Sequence, residues 1–337
     1  MMPSVSILIP THNRVEILAQ TLRSLSAVTV PPAAEVELVV VANGCTDATS
    51  DVCAGLFRDF PFAARCVDEP KLGASCARNR AVAESTGEIC AFLDDDVLLA
   101  EDWLCELLRA FEQPSADIVA GRVDLAWEGE RPEWLTRRFE SFLSANCLGE
   151  EARELHDFAG VVGANFSFRR KVAEGCGAFQ SHIGRIGGGM MAFDESEFVV
   201  RAMRAGFRLF YAPGVRVEHW TPRERACPEY ICRAAAGFAQ GRVLAKERFG
   251  PAAAMRCLAG HGYLFCRWGV RELLSLRTGD RERILSNRVW RVTGQAGFRA
   301  GMRRCLGLAE RFAARSTAGP EPVRSQRVEE PSAVAHQ

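Results

Sequence analysis

The sequence predicts an α/β fold, in which a mostly parallel sheet is flanked by helices and followed by a helical extension. Short apolar, β-rich runs alternate with helix-length segments through the first hundred residues, a pattern typical of βαβ units. From about residue 222 this alternation stops, and helix-forming segments rich in Ala and Arg follow. With 337 residues, of which 48% are hydrophobic, the chain is long enough for one large domain or two modest ones.

The predicted elements follow in order along the chain. Strands are expected in the apolar runs at residues 5–10, 36–41, 63–67 and 89–93. Helices are expected at residues 14–27, 73–85 and 101–111, and another after the Asn43-Gly44 turn, capped by Thr46 or Asp47. Gly87 is expected to end the helix at 73–85 as a C-terminal glycine.

Charge is unevenly distributed in a chain whose formal net charge is zero. Residues 1–221 carry a formal charge of about −11, and residues 222–315 one of about +12. The predicted organisation is therefore an acidic α/β domain over residues 1–225 and a basic helical region over 226–315. Residues 316–337, rich in Ala, Glu, Pro and Ser, are expected to be a disordered tail.

The cysteines and the N-terminus indicate a cytoplasmic protein. The 13 cysteines are odd in number and form no CxxC pair, which favours reduced thiols over disulfides. The chain enters a strand pattern directly, without a signal peptide. The most apolar long segment, residues 252–276, contains Arg256, Arg267 and Arg271, so no membrane span is expected. Contact with the inner face of the plasma membrane remains compatible with this sequence.

Three consecutive aspartates, Asp94, Asp95 and Asp96, follow the predicted strand at 89–93. Ligands of open α/β sheets bind beyond the carboxyl ends of the strands, where residues 10–13 and 41–44 are also expected. Adjacent carboxylates repel one another, and a bound Mg²⁺ or Mn²⁺ would offset that repulsion. Asp94 and Asp96 should point to one face and Asp95 to the other. The alternative is an acidic cap for the following helix.

A second acidic pair, Asp194-Glu195, opens the amphipathic helix predicted at residues 193–205. Acidic side chains in a first helical turn are stabilised by the helix dipole. The pKa of such a carboxyl is therefore expected to be lowered, which would make it a base of modest strength. Plain helix capping is the alternative interpretation of this pair.

Several segments together resemble glycosyltransferase family 2, whose members have the GT-A fold. The resemblance covers residues 4 to about 245 and lies in VSILIPTHNR, VVVANGCTDAT, LGASCARNRAVAESTGEICAFLDDD and FDESEFVVRAMRAGFRLFYAPGVRVEHW, which occur in the family's order and spacing. GANFSFRR and GAFQSHIGRIGG are also similar to this family. The resemblance implies a GT-A type, Rossmann-like mixed sheet and inverting transfer of a sugar from a nucleotide-sugar to an acceptor hydroxyl. Because no membrane span is expected, transfer of one sugar is favoured over processive polymer synthesis.

The resemblance also implies roles for individual residues. The family's metal-binding D-x-D corresponds to Asp94 and Asp96, and His219 matches a histidine near the metal and diphosphate. Glu195 takes the position of the catalytic base beside Asp194. The order of this pair is reversed relative to the usual Glu-Asp, so both carboxylates stay candidates. Residues implied for nucleotide-sugar binding are Pro10, Thr11, Asn13, Asn43, Arg78, Asp94 and Asp95.

The donor, the acceptor and the role of the basic region stay open at this level. Ala42 replaces an Asp that many family members use to recognise uracil, so the donor nucleotide is not assigned. The glycine-rich loop at 184–189 is interpreted as a mobile lid. The Arg-rich segment 273–306, with Ile284, Leu285 and Val289, suits an anionic lipid surface, a polyphosphate acceptor, the acidic domain or plain solvent exposure. No nucleic-acid-binding motif is present.

Two other functions remain alternatives to a glycosyltransferase. A sugar nucleotidyltransferase would have a related fold and would also use Asp-bound metal. It should carry a Gly-rich phosphate loop after the first strand, where this chain has Pro10-Thr-His-Asn-Arg14. A non-catalytic nucleotide- or carbohydrate-binding protein should have lost the carboxylates, which are all present. The acceptor is expected to be a cell-surface glycan, a lipid-linked glycan or a small molecule. The composition suggests a bacterial source.

Overall fold

A computed structural model describes residues 3–113, 115–158, 160–246, 251–276 and 280–317. Its strands are β1 Val5–Thr11, β2 Val36–Asn43, β3 Ala63–Glu69, β4 Ile89–Leu93, β5 Val97–Leu99, β6 Ile118–Trp127, β7 Arg153–Leu155, β8 Asn165–Arg169 and β9 Leu209–Thr221. Its helices are α1 Val15–Ser26, α2 Thr49–Leu56, α3 Ala74–Glu84, α4 Trp103–Glu112, α5 Arg137–Glu140, α6 Arg170–Cys176, α7 Asp194–Arg204, α8 Pro228–Lys246, α9 Pro251–Leu276 and α10 Arg281–Thr317.

The strands form one mixed sheet in the order β3-β2-β1-β4-β8-β6-β9-β5, and β7 also pairs with β9. The first four strands are parallel, as the alternation of strand and helix predicts. β8 then runs antiparallel to both β4 and β6, so the sheet is less parallel than the strand–helix pattern suggests. The mixed sheet with flanking helices that the family resemblance implies is confirmed.

The sheet separates two apolar cores, one on each face. In β1, Ile7 and Ile9 belong to the core covered by α1 and α4, whereas Leu8 belongs to the core covered by α3 and α7. This division follows from the two-residue alternation of side chains along a strand. Because both faces are covered, β1 is mostly apolar and buried, and its end lies at the rim of the sheet.

Gly87 has a different role from the predicted helix cap. Helix α3 ends at Glu84, and Ser85 already has extended backbone angles. A Cβ on Gly87 would lie 2.6 Å from the backbone nitrogen of Ser6, so this position requires a glycine because the chain passes very close to β1. The prediction of a C-terminal glycine cap was wrong, because it considered only the local sequence.

The C-terminal helices pack against the segment between β6 and β7. Leu135, Phe139 and Leu143 of that segment form a third core with Ile231 of α8 and with α10. The aromatic residues of this segment pack here as well, in agreement with the expectation that they are structural: Trp127, Trp134, Phe139 and Phe142. Helix α10 also lies close to α9, since a Cβ on Gly294 would be 2.4 Å from the backbone nitrogen of Phe265.

The structure changes the interpretation of the basic region. Leu285 and Val289, which the sequence suggested for a lipid-facing side, are buried in the third core. No helix in the described ranges has the length and hydropathy needed to cross a membrane. Ser316 and Thr317 belong to α10, and the rest of the predicted tail, residues 318–337, lies outside the described residues.

Candidate active site

A cleft of about 340 Å³ lies beyond the carboxyl ends of β1, β2 and β4. Its floor includes Pro10, Thr11 and the three aspartates that follow β4. Tyr230 and Phe238 of α8 line it from the C-terminal region. The strand-end rule therefore located the cleft correctly, whereas the contribution of α8 was not predicted.

Arginine neutralises two of the three aspartates. Arg14, directly before α1, donates one hydrogen bond to Asp95 and a second, of 2.7 Å, to Oδ2 of Asp96. The hydroxyl of Thr11 donates to Asp95 at 2.7 Å, and Arg225 donates to Asp96 at 3.1 Å. Repulsion within the acidic triplet is therefore offset largely by the protein's own cations.

The buried aspartates differ in their protonation. Burial raises the pKa of Asp95 to about 7, with a contribution from Asp96 that Arg14 opposes. Burial also disfavours the charged form of Asp96, but His219, Arg14 and Arg225 outweigh it and hold the pKa of Asp96 well below its usual value. Asp96 is accordingly an ionised carboxylate at neutral pH.

Asp94, Asp96 and His219 form a candidate metal centre, and their ligand atoms lie within 4.8 Å of one another. Pairing of β5 with β9 creates this arrangement, because Val97 is in register with His219 and the backbone nitrogen of Trp220 donates to the carbonyl of Asp96. His219 Nε2 lies 3.1 Å from Asp96 Oδ1. The His219 ring is buried, and its Nδ1 has no hydrogen-bond partner among the residues that the structure describes.

Asp94 is the accessible member of this set. Its side chain is 30% exposed, and its ion pair with Arg78 is long, at 3.9 Å. Two carboxylates and one imidazole are suitable ligands for Mn²⁺, and carboxylates also suit Mg²⁺. The donor set therefore fits a divalent cation, and Asp94 is the ligand most free to turn towards one.

The second acidic pair lies at the start of α7 and shares one arginine. Arg78 of α3 is buried and donates to Oδ2 of Asp194 and, at 2.5 Å, to Oε1 of Glu195. Ser75 lies 3.2 Å from the same oxygen of Asp194. Asp194 is thus enclosed by the protein, whereas the Glu195 side chain keeps 14% of its surface exposed.

Burial raises the pKa of Glu195 to about 8, and the neighbouring Asp194 adds to this shift while Arg78 opposes it. The sequence had suggested a lowered pKa for a carboxyl at a helix N-terminus. That expectation was wrong because loss of solvent and a like charge outweigh the helix dipole at this position. Glu195 is therefore a stronger base than expected, although it is mostly protonated at pH 7.

The backbone around Glu195 is closely constrained. A Cβ on Gly163 would lie 2.3 Å from Oε1 of Glu195 and 2.5 Å from Nη2 of Arg78. Phe193, just before α7, has a φ of 106°, which is costly for a residue other than glycine. Its ring is held between Phe158 and Phe238. Packing with α8 thus maintains the backbone that orients the acidic pair.

The residues implied for the nucleoside have different positions. Pro10, Thr11 and Asn43 line the cleft. The amide of Asn43 donates to the carbonyls of Glu69 and Lys71, and its oxygen accepts from the nitrogen of Gly73 at 2.8 Å. This side chain therefore shapes the loop that borders the cleft.

Asn13 does not line the cleft. Its φ is 51°, and its side-chain oxygen accepts a 2.7 Å hydrogen bond from the nitrogen of Thr46. Asn13 thus holds the turn after β2 against the turn after β1. The nucleoside contact that the resemblance implies for Asn13 stays a prediction. Apart from Asn13, every residue predicted for the site contributes to one cleft.

Sequence reasoning missed several residues of this site. Arg14 directly follows the recognised Pro10-Thr-His-Asn13 segment, so its position offered a signal that was not used. Gly163 lies in the recognised GANFSFRR segment, but its close approach to Glu195 becomes visible only in the structure. Arg225 gave no signal, because it is one of many arginines in the basic region.

Comparison with known proteins identifies relatives of this chain. The sequence pattern of Glycosyl transferase family 2 matches residues 6–177. The succinoglycan biosynthesis protein ExoM of Rhizobium meliloti is 31% identical over 261 residues, which cover 76% of this chain and 80% of ExoM. Glycosyltransferase AglE of Haloferax volcanii is 28% identical over 214 residues, covering 64% of this chain and 66% of AglE.

The fold is shared with a solved glycosyltransferase. The mannosyltransferase PcManGT from Pyrobaculum calidifontis, in complex with GDP-Man and Mn²⁺, superposes with a TM-score of 0.55 at 18% identity. The match covers 96% of this chain and 77% of PcManGT. At this identity the likeness shows a common fold and nothing finer. The family match over residues 6–177 and the 31% identity to ExoM show that the chain belongs to glycosyltransferase family 2.

Proposed function

We propose that this glycosyltransferase is metal-dependent and inverting, and that it transfers one sugar from a nucleotide-sugar to an acceptor hydroxyl. The observation that carries the proposal is the presence of two distinct acidic sites in one cleft. One contains the accessible Asp94 beside Asp96 and His219. The other contains Glu195, whose pKa is raised to about 8. A cation site and a base are the two acidic functions that such a reaction requires.

The first acidic site is assigned to the donor. Asp94, Asp96 and His219 would hold Mg²⁺ or Mn²⁺, which would supply positive charge to the diphosphate leaving group. The Mn²⁺ and GDP-Man described for PcManGT support this assignment by analogy. Pro10, Thr11 and Asn43 are assigned to the nucleoside, and Asn13 supports them through its bond to Thr46. Arg78 and Asp95 are assigned to the sugar diphosphate.

The second acidic site is assigned to the acceptor. Glu195 takes the proton of the acceptor hydroxyl while that oxygen forms a bond to the anomeric carbon. The bond from that carbon to the diphosphate oxygen breaks on the opposite side, which inverts the configuration. Asp194 is enclosed by Arg78 and Ser75, so it orients Arg78 and keeps the pKa of Glu195 high. This difference in exposure favours Glu195 as the base.

The acceptor is proposed to belong to a surface glycan, a lipid-linked glycan or a small molecule. ExoM, described as a succinoglycan biosynthesis protein, supports the first class. We assign the GT-A domain to residues 1–225 and the basic region to 226–315. A cytoplasmic location, with the basic region in peripheral contact with the inner face of the plasma membrane, completes the proposal, and the charge of about +12 over residues 222–315 supports it.

A donor panel tests the proposed function. Purified protein is mixed with UDP-, GDP-, dTDP- and CMP-sugars, with and without Mn²⁺, and the melting temperature is recorded. Binding to the folded state raises this temperature by mass action, so one nucleotide class should give a shift that requires the cation. The selected donor is then incubated without acceptor, and NMR reports the anomeric configuration of the slowly released sugar. Retained configuration, or no shift with any donor, would contradict the proposal.

A further inference from the structure

Helix α9 presents an apolar face to solvent. Met255, Tyr263, Val270, Leu273 and Leu274 are between 55% and 67% exposed. Their spacing places them along one side of the helix, within a stripe about 100° wide. We call these five residues the α9 apolar face. Contact with an anionic lipid surface was one of the possibilities that the sequence left open for the segment 273–306. Leu273 and Leu274 of that segment belong to the α9 apolar face, whereas its Leu285 and Val289 are buried.

Exposed apolar side chains are concentrated in this part of the molecule. Across the residues that the structure describes, the exposed large apolar side chains outside α9 and α10 are Leu72 and Ile186. Phe298 and Met302 of α10 are 37% and 38% exposed, and the Phe298 ring would lie 3.1 Å from a Cβ on Gly262 of α9. The α9 apolar face thus continues onto α10, and such a concentration marks an interaction surface.

Positive charge borders the α9 apolar face. Arg256, Arg267 and Arg271 are exposed, and their positions lie along one edge of the stripe. The one acidic residue in α9 is Glu272. It is buried and accepts hydrogen bonds from Arg288 and Arg291 of α10. The surface therefore combines exposed apolar and cationic side chains, with no exposed carboxylate on α9.

This combination favours an anionic lipid surface over another protein. An amphipathic helix with an apolar stripe and a basic edge lies at a membrane interface, with its apolar side chains below the phosphate level. Each arginine near anionic headgroups adds to the attraction. A second copy paired through the same face would bring the two rows of Arg256, Arg267 and Arg271 together, and these like charges would repel.

We infer that the α9 apolar face is a docking surface for an anionic bilayer. Leu273, Leu274 and Val270 enter the acyl region, and the three arginines contact lipid phosphates. This inference deepens the proposed membrane contact. It rests on the proposed function in one respect: docking would give the enzyme access to an acceptor at the membrane. Vesicle binding itself requires neither donor nor transfer.

Co-sedimentation of the full chain with vesicles tests the inference. Wild-type protein should bind phosphatidylcholine vesicles that contain phosphatidylglycerol, and should bind pure phosphatidylcholine vesicles weakly. Leu274→Glu should lower the binding constant by about tenfold or more, because burial of one leucine side chain is worth roughly that factor. Leu276→Glu is the matched control: Leu276 is also 55% exposed, but it points about 160° away from Leu274.

Several outcomes would overturn the inference. These are no binding by the wild type, equal loss in both variants, or a dimer that forms without vesicles and is disrupted by Leu274→Glu. Val270→Glu repeats the test if Leu274→Glu lowers the melting temperature. The donor-induced thermal shift is measured on each variant. A variant that keeps the donor-induced thermal shift but no longer binds vesicles has lost docking alone. A wild type that shows no donor-induced shift contradicts the proposed function and does not bear on docking.

Discussion

Two acidic sites share one cleft, and arginine contacts them in different ways. After β4, Arg14 and Arg225 neutralise the buried Asp95 and Asp96, while Asp94 stays accessible. At the start of α7, a single buried Arg78 is shared by Asp194 and Glu195. The first arrangement keeps Asp96 ionised, as a cation ligand must be. In the second arrangement, one shared arginine does not offset the burial of Glu195 and the charge of Asp194. The pKa of Glu195 therefore rises, as suits a proton acceptor.

The comparison teaches that residue type alone does not assign a role to a carboxylate. Asp96 and Glu195 are both acidic residues beside arginine, yet the pKa of Asp96 is lowered and that of Glu195 is raised. The number of cations within reach decides the direction once both groups are buried. Variants of the two sites should therefore fail in different measurements.

Loss of the base should give the largest effect. Glu195→Gln keeps the shape of the side chain and can still accept a bond from Arg78, but it cannot take up a proton. We expect kcat to fall by about 10²–10⁴-fold while the donor Kd changes little. Glu218→Gln, at a half-exposed glutamate of β9, is the control and should retain kcat. An unchanged kcat in Glu195→Gln would remove Glu195 from the reaction.

Displacement of the base without removing it should give the next largest effect. Gly163→Ala places a methyl group 2.3 Å from Oε1 of Glu195, so the carboxylate must move. A displacement of about 1 Å can lower kcat by about 10²-fold. Gly55→Ala, in α2, is the matched control, because its Cβ would have no neighbour within 4 Å. Equal activities in the two variants would show that the position of Glu195 is unimportant.

Substitution in the first site should act on the cation. Asp94→Asn removes the accessible carboxylate, and the Mn²⁺ concentration that half-saturates activity should rise by about tenfold or more, by analogy with other metal-site changes. Asp68→Asn, at an exposed aspartate of β3, should leave this concentration unchanged. The measurement is a metal titration after EDTA treatment. If Asp94→Asn needs the same Mn²⁺ concentration as the wild type, Asp94 is not a cation ligand and the two acidic sites do not have separate roles.

The pH dependence should give the smallest effect. A raised pKa means that Glu195 is mostly protonated at pH 7, where it cannot act as a base. Activity should therefore rise as pH increases through about 8, by about tenfold between pH 7 and pH 9 if this ionisation alone limits kcat. The profile of kcat against pH checks this. Activity that is already maximal at pH 6 would contradict the raised pKa.

Local patterns predicted well those features that depend on neighbours in the sequence. Ile89–Leu93 is a strand as predicted, because a short apolar run ends at three aspartates. The recognised family segments also brought Asp94, Glu195 and His219 to one cleft. For Asp94, the carboxyl end of the parallel strand β4 predicts the location without knowledge of side-chain packing.

Features that depend on distant contacts were not predictable from the sequence. The pKa of Glu195 depends on burial and on Arg78, which is 117 residues away. Position 87 requires a glycine because the chain there passes very close to β1. A rule for helix ends considers only neighbouring residues and cannot detect this contact. Leu285 has the same apolar character as the exposed Leu274. Only the packing of α10 shows that the former is in the core.

Donor binding by Asp94→Asn and Glu195→Gln is the most direct test of the central claim that the two acidic sites have separate roles. Isothermal titration with the selected nucleotide-sugar, in the presence of Mn²⁺, measures Kd for each variant and for the wild type. We predict that Glu195→Gln binds the donor as the wild type does, and that Asp94→Asn binds at least about tenfold more weakly. Equal weakening in both variants, or weakening in Glu195→Gln alone, would contradict the claim.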